Sequence, residues 1–159
     1  MEHASHNDCP NVSGTYKLYG DALPGMPPYF MFINSGLALD DMLGLDLNVP
    51  GRWPTSEIHV VQTDPHRISV RIVGSSETKT GQLQPGDKVW CKDHRLTIER
   101  LVDTIGEATT GRALIIHQLE LAQDGALIVR TEIRGATRFL FFYIKDPTEL
   151  YGARFQAVQ

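Results

Sequence analysis

From Ile58 onward, apolar and polar positions alternate with the period of two that marks a half-buried β-strand. Ile58 and Val60, then Ile68, Val70 and Ile72, keep step on either side of a TDPHR turn and predict a hairpin. KVWCK and LTIERL flank DHR as a second hairpin. GRALIIHQLEL, ALIVRTEI and TRFLFFYI predict three longer strands, joined by QDGA and RGAT. Earlier in the chain, GTYKLY reads as the first strand, GDALPGMPP as a loop, and YFMFIN as a short apolar strand or core coil. The one helical signal covers 36–43. Ser35 is placed as its N-cap, Leu39, Met42 and Leu43 share a face, and Gly44 is a stop. A helix of about two turns is unstable alone in water, so that face has to pack against something. Nine or ten strands with short turns and one short α-helix predict a mainly β fold. It is an antiparallel meander that either closes into a lipocalin-like barrel or stays a strongly bent sheet.

The turns decide which residues face inward. With Gly135–Ala136 as a two-residue hairpin loop, Ile133 lies across from Arg138, Thr131 from Leu140, Val129 from Phe142 and Leu127 from Ile144. At QDGA, a two-residue loop would set Gln118 and Glu120 on the apolar face. A three-residue loop ending in a glycine bulge shifts the strand by one residue and swaps its faces. Burying a lone carboxylate is costly, so the bulged turn is expected, with Gly125 left-handed. Ile115, His117, Leu119 and Leu121 then join Leu127, Val129, Ile133, Leu140 and Phe142 on the inner face, with His117 near Thr131. The opposite face carries Gln118, Glu120, Arg130, Glu132 and Arg134 with Phe139, Phe141 and Tyr143. This is either a solvated face with charge pairs across strands or a contact surface. As a contact surface, its candidate residues are Arg130, Phe139, Phe141 and Tyr143, an apolar patch with cation–π potential.

Composition narrows the classes further. A chain of 159 residues makes one domain, here 12–159, after a leader or tether at 1–11. The net charge is −4 and no basic stripe appears, so a nucleic-acid partner is not expected. No apolar run approaches the ~20 residues of a membrane span. Residues 1–8 are polar and show no signal peptide. The chain is then cytoplasmic if Met1 is the native start, or it carries a short leader where a signal peptide stood. Cys9 and Cys91 are the two cysteines, able to pair in an oxidising compartment and thiols in the cytosol.

No G-x-S-x-G, H-E-x-x-H, P-loop, G-x-G-x-x-G or C-x-x-C signature occurs. No catalytic residue, cofactor or metal site is expected. Cys91 lies near Asp87, Asp93 and His94, but alternation sends it inward with Val89, as a buried thiol or half of a disulfide. An enzyme built on His94 or His117 with a nearby carboxylate is the least supported class. The His-third start MEH, which suits Cu(II) or Ni(II), and the sequon at Asn11 are read as incidental.

CPNVSGTY resembles the mature start of small bacterial envelope lipoproteins of unknown function, in which a cysteine, a Pro/Asp/Asn-rich spacer and an sGtY strand follow the lipobox. GLALDDMLGL, KVWCKDHRLTIE, DGALIVR and the terminal ARFQ fit the same pattern loosely, with His94-Arg95 where a glycine is usual. A fainter likeness is to lipocalin-type barrels, with SGTY in place of their Gly-x-Trp strand. The first likeness implies a non-enzymatic domain of the bacterial cell envelope on its periplasmic side, with Cys9 as lipid anchor, although no lipobox precedes Cys9 here. Membrane attachment would come only through that anchor. A disulfide to Cys91 is the rival fate of Cys9, since one sulfur cannot do both. The partner would be a protein, or, on the lipocalin likeness, a small apolar ligand in a cavity lined by Trp90, Tyr16 and inner-face aliphatics.

Overall fold

The computed structural model describes residues 9–25, 38–45, 47, 56–64, 67–73, 78–83, 86–105, 109–139, 142–145 and 148–158. Eleven strands and one helical turn lie among them: β1 (Gly14–Lys17), β2 (Asp21–Ala22), α1 (Leu39–Met42), β3 (Glu57–Asp64), β4 (Arg67–Val73), β5 (Thr78–Gln82), β6 (Lys88–Lys92), β7 (Arg95–Ile105), β8 (Thr109–Leu121), β9 (Leu127–Phe139), β10 (Phe142–Lys145) and β11 (Glu149–Phe155). YFMFIN, Ser35, Leu140 and Phe141 fall outside the described residues.

The strands form two antiparallel sheets. One has the order β1-β3-β4-β5; the other runs β2-β11-β9-β8-β7-β6, with β10 also on β9. The expected hairpins are present. Ile58 pairs with Ile72 and Val60 with Val70, and β6 pairs with β7 across Asp93 and His94. Both of those turn residues have positive φ, 53° and 59°. That is the backbone of a two-residue type I′ turn, whose twist matches the flanking strands. At QDGA, Leu121 pairs with Leu127, Ala122 N–H donates to Ala126 O, and Gly125 takes φ 87°. This is the three-residue bulged loop, and it brings His117 opposite Thr131 and Leu119 opposite Val129 as expected.

The other turn assignment is corrected. Gly135 and Ala136 are not a loop; they lie inside β9, opposite Ala113 and Arg112. A turn there would leave Thr109–Arg112 of β8 without partners on that side, whereas an extended β9 matches all thirteen residues of β8. The chain turns back after Phe139, and Phe142 pairs with Phe139, Ile144 with Thr137. The partners of Leu127, Val129, Thr131 and Ile133 on that side are therefore Phe155, Ala153, Tyr151 and Glu149 of β11.

The two sheets share one core. Tyr16, Ile58, Val60, Ile68, Val70 and Ile72 from the first meet Leu96, Ile98, Leu119, Leu127, Val129, Ala153 and Phe155 from the second. They also meet along one seam, where Tyr16 bridges Ala157 and Lys17 N–H donates to Gln156 O. Among the described residues neither sheet closes on itself.

The helix is shorter than expected, starting from Ala38 without a side-chain cap. Its stop is as expected: Gly44 has φ 71°, its N–H donates to Asp41 O and that of Leu45 to Asp40 O, the Schellman arrangement. Leu39, Met42 and Leu43 are buried in the shared core, which supplies the packing that so short a helix lacks alone. Leu47 then lies against Gly81 of β5, where an added Cβ would come within 2.6 Å of its side chain.

Candidate functional site

In the seven-stranded sheet, register separates an inner from an outer face. Inward are Val89 and Cys91, Leu96 and Ile98, His117 and Leu119, Val129 and Thr131, Ala153 and Phe155. Outward, one row across the strands reads Trp90, Thr97, Gln118, Arg130, Gly152, and the next reads Lys88, Glu99, Ile116, Glu132, Leu150. Trp90 is thus not a cavity-lining residue: it lies opposite in sense to Val89 and Cys91 and is 39% exposed. Tyr16 is buried as expected, its hydroxyl donating to Val12 O, and burial raises its pKa.

The outer face carries charge pairs. Glu120 accepts from Arg130 and from Arg95, the latter at 3.1 Å, and the Arg130 bond foremost holds its carboxyl below the usual range. Arg134 donates to Glu132 at 2.7 Å and Arg112 to Asp103 at 2.9 Å. Beside Arg130, a pocket of about 90 Å³ is lined by Gln118, Arg130, Glu132, Ile116 and Leu150, with Thr131 and Tyr151 also bordering it. Its origin is visible in the register. Gly152 stands opposite Arg130 on β11 and has no side chain, so the row of side chains is interrupted there.

Among the described residues, the backbone of β9 and β10 does not bring Phe139 or Tyr143 beside Arg130. The predicted cluster depended on the Gly135–Ala136 turn, which would have set Phe141 across from Arg130. In the extended strand Phe139 lies nine residues from Arg130, about 30 Å along β9. Tyr143 pairs with Arg138, and Phe141 is outside the described residues. Residues that the sequence reading passed over, Gln118 as a ligand-facing group and Leu150, line the pocket beside Arg130 instead.

Cys9 is bonded to Cys91, with Cα atoms 5.1 Å apart. Its sulfur is occupied, so it cannot also carry an acyl thioether, and the anchor role expected for Cys9 gives way to the disulfide. Part of the expected tether is accordingly fixed: Cys9 packs against the core.

The two histidines weighed for catalysis are in different places. His94 is exposed in the type I′ turn. His117 is buried, with Nδ1 at 2.8 Å from Thr131 Oγ1. Near it on the inner side, Arg100 clamps Asp87 through two bonds of 2.9 and 2.7 Å and donates to Leu43 O, tying the helix end to β7. Burial foremost, then Arg100, lowers the pKa of His117 to about 4, with Asp87 opposing. It is a neutral core histidine at ordinary pH. Among the described residues no three His, Cys, Asp or Glu side chains gather as a metal site.

No protein-family model matches the chain, and no curated protein matches it.

Proposed function

We propose that this chain is a non-enzymatic binding domain of the bacterial cell envelope, meeting its ligand on the outer face of the seven-stranded sheet around Arg130. The observation that carries this is the pocket itself, lined by Arg130, Gln118 and Glu132 together with the apolar Ile116 and Leu150. A few placed polar groups on an apolar wall are the usual make-up of a small-ligand site. The Cys9–Cys91 bond supports a periplasmic location, because disulfides persist in oxidising compartments. In this reading the sheets form an incompletely closed, lipocalin-like barrel, joined at the β1 seam, with Leu47 against β5 and the end of α1 tied to Arg100 of β7.

The second reading, a carrier of a small apolar ligand inside the barrel, has less support. The interior is occupied by Leu39, Met42, Leu43 and Phe155, each at most 1% exposed.

Methyl-labelled protein titrated with saccharides, peptides and fatty acids separates the two. The outer-face reading expects shifts at Ile116 and Leu150. Shifts at Ile98, Leu119 and Val129 would favour the carrier, and an unmoved spectrum in every titration refutes both.

A further inference from the structure

We propose that the outer face binds an N-acetylated amino-sugar oligosaccharide, laid across the strands from Trp90 to the hollow over Gly152. This rests on the outer-face reading above and names its ligand. An acetamido group has a carbonyl, an N–H and a methyl. The pocket has a counterpart for each: Arg130 and Gln118 donate, Glu132 accepts, and Ile116 and Leu150 are apolar. The existing ion pairs leave capacity, since a guanidinium has five N–H donors and a carboxylate about four lone-pair positions. A volume of about 90 Å³ matches such a substituent, about three liquid waters, and is too small for a sugar ring.

The ring therefore has to lie on the sheet, and the same row supplies a platform. Thr97, between Trp90 and Gln118, is 5% exposed although it faces outward. Trp90 is its cross-strand neighbour on β6. A half-exposed indole offers a flat apolar face with a wet edge, against which the C–H face of a pyranose stacks. Trp90 and Arg130 are three strand spacings apart, about 14 Å, the span of a short oligosaccharide.

Charge and backbone point the same way. Arg95, Arg130 and Arg134 are interleaved with Glu99, Glu120 and Glu132 on this face, a balance that suits an uncharged ligand rather than a polyanion. Around the pocket, β8 pairs with β7 and β9, and β9 with β8 and β11, so a peptide lying there would find no strand to extend.

Calorimetry and tryptophan fluorescence on the oxidised full chain test this with three probes: the β-1,4-linked tetramer of N-acetylglucosamine, the same tetramer deacetylated, and cellotetraose. The acetylated tetramer should bind at least tenfold tighter than the other two. Trp90→Ala and Leu150→Ser, both at exposed positions, should each weaken it at least tenfold with unchanged circular dichroism. Equal affinity for the three sugars overturns the proposal, as does unchanged affinity in both variants. If the acetylated tetramer does not bind while a peptide shifts the Ile116 and Leu150 methyls, the sugar is wrong and the surface stands. If neither acts, both readings fall.

Discussion

His117 shows how a polar side chain in a core ties stability to pH. Its ring is accepted neutral, bonded to Thr131 and close enough to Arg100 to be disfavoured as a cation. The unfolded chain, with an imidazole near 6.5, takes up the proton first as pH falls. Stability therefore declines from about pH 6.5 down to about 4 and levels off below. A shift of this size corresponds to about 3 kcal/mol. In His117→Gln that loss should disappear when urea midpoints at pH 7 and pH 4.5 are compared; an undiminished loss would mean other groups are responsible. Gly44 is a second single-residue constraint. Its left-handed backbone disfavours any side chain, and an added Cβ would meet the Arg100 guanidinium that holds the helix end. Gly44→Ala should cost about 2 kcal/mol, from the left-handed conformation and the displaced arginine. Gly86→Ala, where the new Cβ meets nothing, serves as the control and should leave the thermal midpoint in place.

The β6–β7 turn carries strain that a small change would relieve. Asp93 and His94 both hold positive φ, which costs an ordinary L-residue about 1–2 kcal/mol. His94→Gly should raise stability by about 1 kcal/mol in a thermal melt; a fall would show that the imidazole has a structural role. The longer hairpins explain what the sequence could and could not disclose. The β8–β9 register was legible because only one loop length keeps Glu120 out of the core, and the cost of a buried carboxylate decides it. The Gly135–Ala136 pair was misleading because glycine and alanine suit an extended strand as well as a turn, and the deciding term is distant. It is the pairing of Thr109–Arg112 with residues up to Phe139. The candidate site inherited that error, since Arg130 met the aromatics only through the false turn. Trp90 was legible, given Val89 and Cys91 as inward neighbours, but was assigned to a cavity against its own alternation.

Two cysteines in a sequence leave open whether they meet, and here the fold brings the start of the chain to the outermost strand of the larger sheet. The bridge joins positions 82 apart. Closing a loop of that length restricts the unfolded chain enough to add about 4 kcal/mol of stability in the chain-entropy account. Guanidinium unfolding with and without reductant, or of Cys9→Ser, should show a loss of that order. A loss near zero would mean that strain in the folded bond cancels the gain. The same bridge changes how the molecule bears force. Pulled from its two ends, the oxidised chain transmits tension through the sulfurs and leaves residues 10–90, with all of the first sheet, outside the loaded path. Its full extension should fall short of that of the reduced chain by about 290 Å, a difference that single-molecule stretching reads directly. The smaller sheet would then stay folded under loads that peel the larger one apart.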